Sequence, residues 1–465
     1  MKINFDKKFL LFLILIIILI LNFLIFVPKF IWGDEAWSAS ISSMGLIESI
    51  KNSLNDFHPP LYHILLSIIL YIFPNSSLLL KILSLIFGIL TLYLILFKLN
   101  NFIGENESNY LSIFLTFSPF FLYTFSIVRM YPLVVLLSII SIISFFEILS
   151  ESKKSNFIKY VISNLLMMLT HYLSIPLFFI QGLYFLIKKN FKGFKIFIIN
   201  GIIYLPFSYI FLIQLKRRLS LTRGWGNILP QTFFSDFFSY LFLNSKNVSI
   251  FLILIFIFLI ILSFFRIKND AQKFFSLYFL TYLLMFYLIT LKLGSLYFHY
   301  ISLIILPSYF LITKGVLFFE KYKEKILIFI IIILFSFIPI TFIKGYPEIE
   351  KIQNEIKNKN VFFLNKYEMY RFTFGIKGNY KYLMDLPLNN FTLDNEKKIN
   401  FAIDLLKKEE KPFILVYSSV GSDLLSIYDP KGKLKKFLEE NSYEKITYGI
   451  YSESPAFLYY LKSLK

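Results

Sequence analysis

An adjacent pair of carboxylates, Asp34-Glu35, follows the first long apolar run of the chain. The four histidines are His58, His63, His171 and His299. Lys81 and Arg129 join them, each set in apolar sequence. In Ser126-Ile127-Val128-Arg129-Met130-Tyr131 the guanidinium has no acidic neighbour and calls for an anionic partner. Two carboxylates beside several cations, with no Ser-His-Asp arrangement, suit displacement at a sugar carbon with a phosphate leaving group. A carboxylate takes the proton of an acceptor hydroxyl as general base, while Lys and Arg neutralise the departing phosphate. The chain has no Cys, which removes thiol nucleophiles, disulfides and thiolate zinc sites. Plainer readings stand beside these. Asp34-Glu35 also reads as a solvated pair, His58-Pro59-Pro60 as a rigid turn, Lys81 as a side chain snorkelling to headgroups, and His171 as a satisfied bundle histidine. Arg217, Arg218 and Arg223 read equally well as ordinary loop charges.

Such residues need elements to hold them, and the composition says what kind. Hydrophobic residues make up 57% of the 465, charged ones 17%, with 58 Phe and 31 Tyr; mean hydropathy is +0.67. No water-soluble interior hides that much apolar surface, so the solvent is a bilayer. The formal charge of +19 then belongs to cytoplasmic loops and lipid phosphates. No nucleic-acid-reading motif is present.

Phe9–Val27 is an unbroken apolar run behind a basic flank, too long for a signal core and without a small-residue cleavage site, so it reads as a retained span. Ten further stretches are long enough to cross: 78–97, 110–126, 131–149, 157–173, 174–187, 194–213, 249–265, 274–291, 296–313 and 325–343. Leu61–Phe73, bounded by Pro59-Pro60 and Pro74, is too short and reads as an interfacial or re-entrant helix. Charge supports the choice. With eleven spans, Lys153-Lys154, Lys188-Lys189, Lys192, Lys195, Arg266, Lys268, Lys273, Lys314, Lys321, Lys323 and Lys325 all fall on the cytoplasmic side with the N-terminus.

Three segments then face outward: 28–77, 214–248 and 344 to the end. The last is rich in Lys, Glu and Asn. Alternation at Val361–Leu364 and Phe413–Tyr417, with helical stretches near Glu396–Lys408 and Leu434–Asn441, predicts a small α/β domain. Its aromatics Tyr367, Tyr370, Tyr380 and Tyr382, with Arg371, suit sugar stacking or an ordinary core. Gly421-Ser422 reads as a turn, not a phosphate loop. The expected architecture is an all-α polytopic membrane domain over 1–343, with juxtamembrane helices in its first outer loop, and an extracytoplasmic α/β domain over 344–465. All four histidines, Asp34-Glu35, Lys81 and Arg129 fall at or near the outer face, as one polar pocket would require.

At this point the residues resemble a known group. Trp32-Gly33-Asp34-Glu35-Ala36-Trp37 is similar to the Asp-Glu motif in the first outer loop of the dolichyl-phosphate-mannose protein mannosyltransferase superfamily, which includes the bacterial enzymes that add aminoarabinose to lipid A. His58-Pro59-Pro60-Leu61-Tyr62 resembles the opening of its juxtamembrane helix, Ser118-Pro119-Phe120 through Arg129-Met130-Tyr131 its Arg-x-Tyr step, and Phe298-His299-Tyr300 to Pro307 its late Arg-Tyr…Pro motif. The resemblance implies a C-type membrane glycosyltransferase (GT-C) fold. It implies transfer of a sugar from a polyprenyl-phosphate carrier to a glycolipid, polysaccharide or protein acceptor on the outer face. By that likeness Asp34 is the base, Glu35 helps orient the acceptor, and Lys81 and Arg129 hold the carrier phosphate. His58, Tyr131, His171, His299 and Tyr300 complete the expected substrate-binding set. Two positions depart from the pattern: Ile127-Val128 stand where an acidic residue often precedes the Arg-x-Tyr step, and His299 replaces an Arg. Relatives differ in holding a divalent metal at the Asp-Glu site, so a metal near Asp34 stays open; no nucleotide cofactor is implied. A lipid-linked oligosaccharide flippase is the rival expectation. It would place polar groups through the depth of its helices and show inverted repeats, and the chain has neither.

Overall fold

The computed structural model describes residues 2–462 apart from 29–30, 32, 56–57, 75, 220–227, 243–249, 266, 268, 344–345, 366–368, 370–371, 375, 385–394, 419–432 and 452–453. Trp32, Arg223, Arg266, Lys268, Tyr367, Tyr370, Arg371, Gly421 and Ser422 lie outside the described residues. The chain packs as two compact units. One comprises Met1–Val27, Ile47–Leu65 and Leu79–Thr341; the other comprises Pro28–Leu46, Leu66–Leu78 and Phe342–Lys465.

The chain opens with α1 (Lys2–Phe26), then three shorter helices: α2 (Gly33–Ser43), α3 (Leu46–Asn55) and α4 (Leu61–Ile72). Next come α5 (Ser77–Leu94), a π-helical stretch at Ile95–Leu99, α6 (Asn100–Ile103), α7 (Glu105–Phe117) and α8 (Pro119–Thr124). The central helices are α9 (Tyr131–Ser150), α10 (Lys154–Thr170), α11 (Ile175–Ile187), α12 (Phe191–Leu219) and α13 (Phe233–Tyr240). Last in the bundle are α14 (Ile250–Phe264), α15 (Asp270–Leu293), α16 (Ile305–Leu317) and α17 (Lys323–Ile343).

Among the described residues six helical segments are long and apolar enough to cross a bilayer: Lys7–Phe26, Ser77–Ile103, Tyr131–Ser150, Phe191–Lys216, Asp270–Leu293 and Phe298–Leu317. The chain is a multi-pass membrane protein. The stretch 110–126, expected as one helix, is two. The break falls at Ser118, whose extended backbone ends α7 and whose hydroxyl accepts from the Phe121 amide at 3.2 Å, while Pro119 starts α8. A prolyl nitrogen has no hydrogen to give the preceding turn, so the first turn of a new helix is where it fits. Burial separates two kinds of helix: most of α9 is enclosed by protein, whereas α12 turns most of its surface outward. Lys314 of α16 pairs with Glu107 of α7 at 2.8 Å, both largely buried.

In the second unit, α18 (Tyr346–Ile356), α19 (Asn395–Lys407) and α20 (Lys433–Asn441) accompany five strands: β1 (Asn360–Asn365), β2 (Asn379–Met384), β3 (Phe413–Ser418), β4 (Ser442–Tyr451) and β5 (Ser454–Leu461). The sheet runs β2-β1-β3-β5-β4, parallel among the first three and antiparallel across β3-β5-β4. Alternation sends Phe362, Phe413 and Leu415 to one face against α19 and α20. Val361, Phe363, Ile414 and Val416 point to the other, against Ile352 and Ile356 of α18. The two predicted strands and two predicted helices are all present. Both faces are covered because the strands are apolar at consecutive positions.

Candidate functional site

Seven of the expected site residues lie in the helical unit, and the local structure explains how they meet. Lys81 is buried on α5, and its Nζ donates to the Ser126 carbonyl at 3.3 Å; one turn on, the Ser84 hydroxyl donates to the Ile127 carbonyl at 2.7 Å. Two adjacent peptide carbonyls of the α8–α9 bend are thus pinned to α5, and Arg129, itself buried, is carried on that bend. Gly88 makes the approach possible: a Cβ there would meet Phe125 Cγ at 2.9 Å.

Tyr131 opens α9, with Pro132 in its first turn. Its ring lies 5.5 Å from that of His171, 5.7 Å from that of His299 and 6.4 Å from that of Tyr300. His299 sits on a 3-10 turn, Phe298–Ile304, its ring stacked with those of both Tyr123 and Tyr131, and its Nδ1 hydrogen-bonds the Tyr123 hydroxyl at 3.1 Å. His171 ends α10. Its Nδ1 accepts from the Leu173 amide at 3.1 Å, which assigns the ring's hydrogen to Nε2. Around it stand His58 at 5.4 Å and Tyr300 at 5.7 Å, and the Arg129 charge reaches it. The ring is 3% exposed, and Nε2 has no hydrogen-bond partner among the described residues.

The segment bearing His58 is held from the side. Gln214 of α12 donates from Nε2 to the carbonyls of Ser53 at 2.9 Å, His58 at 3.2 Å and Leu54 at 3.3 Å, and its Oε1 accepts from the Tyr172 hydroxyl. His63 is buried one turn further along α4 and its carbonyl accepts from the Ser49 hydroxyl at 3.2 Å. His58, His171, Tyr131, Tyr300 and His299 therefore form one connected cluster, while Lys81 fixes the bend that delivers Arg129 beside it.

Asp34 and Glu35 belong to the second unit, in the first turn of α2. Asp34 is exposed and Glu35 buried. Gly33 starts the helix at φ +58°, a left-handed value that suits glycine. Carboxylates in a first helical turn are favoured by the amide dipoles behind them. Among the described residues no three His, Asp or Glu side chains gather as a metal-binding group. Sequence reading missed Tyr123, Ser84, Gly88 and Gln214. Tyr123 lies within the Ser118–Tyr131 stretch but is not one of its named positions, the other three sit in no recognisable motif, and a Gln near the end of an apolar run is the one signal the sequence offers.

No protein-family model matches the chain, and no curated protein matches it by sequence. Solved structures do match. The apo crystal structure of ArnT, the lipid A aminoarabinose transferase, from Cupriavidus metallidurans superposes with a TM-score of 0.64 at 10% identity, covering 98% of each chain. The structure of the same protein bound to undecaprenyl phosphate gives 0.54 at 9% identity, covering 97% of this chain and 98% of that one. From its first helix to its C-terminal sheet, the chain has the GT-C glycosyltransferase fold of ArnT.

Proposed function

We propose that this protein is a membrane glycosyltransferase that moves a hexosyl or pentosyl group from a polyprenyl-phosphate carrier to an acceptor hydroxyl or phosphate at the extracytoplasmic face. The observation that carries the reading is the group formed by buried Lys81, Arg129, Tyr131 and His171 with half-buried His58, His299 and Tyr300. Buried cations flanked by ring edges and an imidazole N–H are what a monoanionic or dianionic phosphate ester at a membrane surface requires. The fold likeness adds support, since ArnT has been captured with undecaprenyl phosphate.

In the proposed step, the acceptor oxygen attacks the anomeric carbon and the carbon–oxygen bond to the carrier phosphate breaks. Asp34 takes the acceptor's proton. The bonding pair stays on the phosphate oxygen, where Lys81 and Arg129 balance the charge, and the anomeric configuration inverts. Glu35 orients the acceptor. The membrane arrangement that goes with this reading has eleven spans over 1–343, a cytoplasmic N-terminus and an extracytoplasmic domain over 344–465. The acceptor is a glycolipid, a polysaccharide or a protein. A divalent metal near Asp34 is compatible with the step.

The test is transfer by purified protein in nanodiscs supplied with polyprenyl-phosphate sugars and candidate acceptors. Asp34→Asn should lower turnover by about 10²–10⁴-fold, the usual share of a general base, with folding unchanged. Normal turnover by Asp34→Asn removes that residue from catalysis. Movement of labelled carrier lipid between leaflets with no sugar transfer replaces the enzyme reading by the transporter one.

A further inference from the structure

The two carboxylates sit in the first turn of α2, and the residues just before that helix are tied to the C-terminal part of the chain. Ile31 lies three residues before Asp34 and is buried, and its carbonyl accepts a hydrogen bond at 3.3 Å from Nε2 of Gln353. The same amide group donates to the Phe372 carbonyl, also at 3.3 Å. The two hydrogens of one amide nitrogen are thus shared between two backbone oxygens far apart in sequence. Gln353 is itself buried on α18, between Ile352 and Ile356, which anchor that helix to the sheet. Phe372 is fixed in turn, its ring stacked on Phe363 of β1. The donor therefore has little freedom, and the acceptor it holds is two residues from Gly33, whose positive φ sets the direction of α2.

We propose that Gln353 is a positioning residue through which the C-terminal sheet fixes the Asp34-Glu35 segment. It touches no reacting atom; it acts through the backbone of Ile31. The inference rests on the reading of Asp34 as the base, because only then does holding this segment serve catalysis. It also gives the C-terminal domain a task that composition and strand pattern do not reveal: a frame for the carboxylates, with sugar recognition not required of it.

The test is hydrogen exchange of the full-length protein in nanodiscs, comparing wild type with Gln353→Met and Gln353→Glu. Methionine keeps the length and removes the donor. Its amides over residues 33–43 should exchange about three- to tenfold faster, the worth of one net hydrogen bond, while β1 and β3 keep their protection. Gln353→Glu presents a carboxylate to two carbonyl oxygens and should loosen the same residues at least as much at about pH 8. Burial beside those oxygens raises the carboxyl's pKa, and once protonated it can donate one bond. Protection corrected for intrinsic exchange should then recover toward about pH 5 in Gln353→Glu but not in Gln353→Met, a rescue that general loss of packing does not produce. Affinity for undecaprenyl phosphate, used as the probe, should stay within about twofold in both variants, since the proposed phosphate cations are untouched.

Unchanged exchange over 33–43 in both variants overturns the proposal. Equal loosening of the sheet and α2 in both, without recovery at low pH, overturns it too, because Gln353 is then ordinary packing. Full transfer by Asp34→Asn would sink the catalytic reading while leaving the exchange result intact, so the two failures are told apart.

Discussion

Among the described residues of the helical unit, two polar groups at least half enclosed by protein are built on opposite terms. The first joins Ser141 of α9, Asn164 of α10 and Gln181 of α11. Gln181 Nε2 donates to the Ser141 hydroxyl at 2.8 Å, Ser141 donates to Asn164 Oδ1 at 3.1 Å, and Asn164 Nδ2 donates to the Tyr160 carbonyl at 2.9 Å. Every member is neutral and each bond leads to the next. The second is the His58–His171–Tyr131–Tyr300–His299 cluster beside Arg129 and Lys81. It concentrates positive charge and leaves an imidazole N–H at His171 unanswered by the described residues. A closed neutral chain needs nothing from outside and serves to join helices. A buried donor without an acceptor costs about 1–3 kcal/mol, and a phosphate oxygen accepting from His171 Nε2 would repay it. The difference separates glue from site more sharply than polarity alone.

The comparison is tested most severely at Arg129. Arg129→Ala should weaken undecaprenyl phosphate binding about 10- to 100-fold, the worth of a hydrogen bond to a charged group at about 1.5–3 kcal/mol. The measurement is lipid-binding affinity in nanodiscs at two salt concentrations, because a charge buried to this degree is screened little. An unchanged affinity would make the second cluster as structural as the first.

A smaller effect, with more information, is expected at His171. Its two nitrogens do different work: Nδ1 receives the Leu173 amide and Nε2 offers a proton. Asparagine reproduces the first and lacks the second; glutamine reaches the second and gives up the first. His171→Asn should lose about three- to tenfold in affinity for the lipid at unchanged melting temperature. His171→Gln should keep most of the affinity and lose about 1 kcal/mol of stability with its cap. Equal behaviour of the two variants would show that the Nε2 proton has no ligand to meet.

How much of this was legible depended on the range of the interactions. The apolar runs announce helices because the bilayer penalises anything else, and the stretches at Val361 and Phe413 announce strands of a small α/β domain, while the covering of both sheet faces follows from their consecutive apolar positions. His58, Arg129, His171 and His299 stand out in the sequence because ionisable groups near membrane depth are expensive, whereas Tyr131 and Tyr300 enter only through the resemblance. What joins them was hidden. Tyr123 is one tyrosine among 31, and only the 3-10 turn at Phe298–Ile304 brings His299 to it. Gly88 looks like any small residue in a helix until Phe125 is packed on it. Ser118-Pro119 was read as part of a motif, although the same pair splits the expected helix. Contacts between residues far apart in sequence leave no periodic trace, so Gln214 and Gln353 needed coordinates.

The gentlest test falls on the closed chain. Gln181→Leu preserves the volume of α11 and removes one donor and one acceptor, leaving the Ser141 hydroxyl still able to donate to Asn164. Because Ser141 keeps its acceptor, no charge and no lone donor is stranded, and the loss is that of one interhelical hydrogen bond. Within a bilayer such bonds average about 0.6 kcal/mol, since helices that have come apart in lipid find other partners. Thermal or detergent unfolding should register a shift of that order, and affinity for undecaprenyl phosphate should not change. Were binding to fall with stability still intact, the neutral chain on α9, α10 and α11 would be sensing the lipid. The line between a polar group that joins helices and one that waits for a ligand would then have to be drawn by some property other than hydrogen-bond closure.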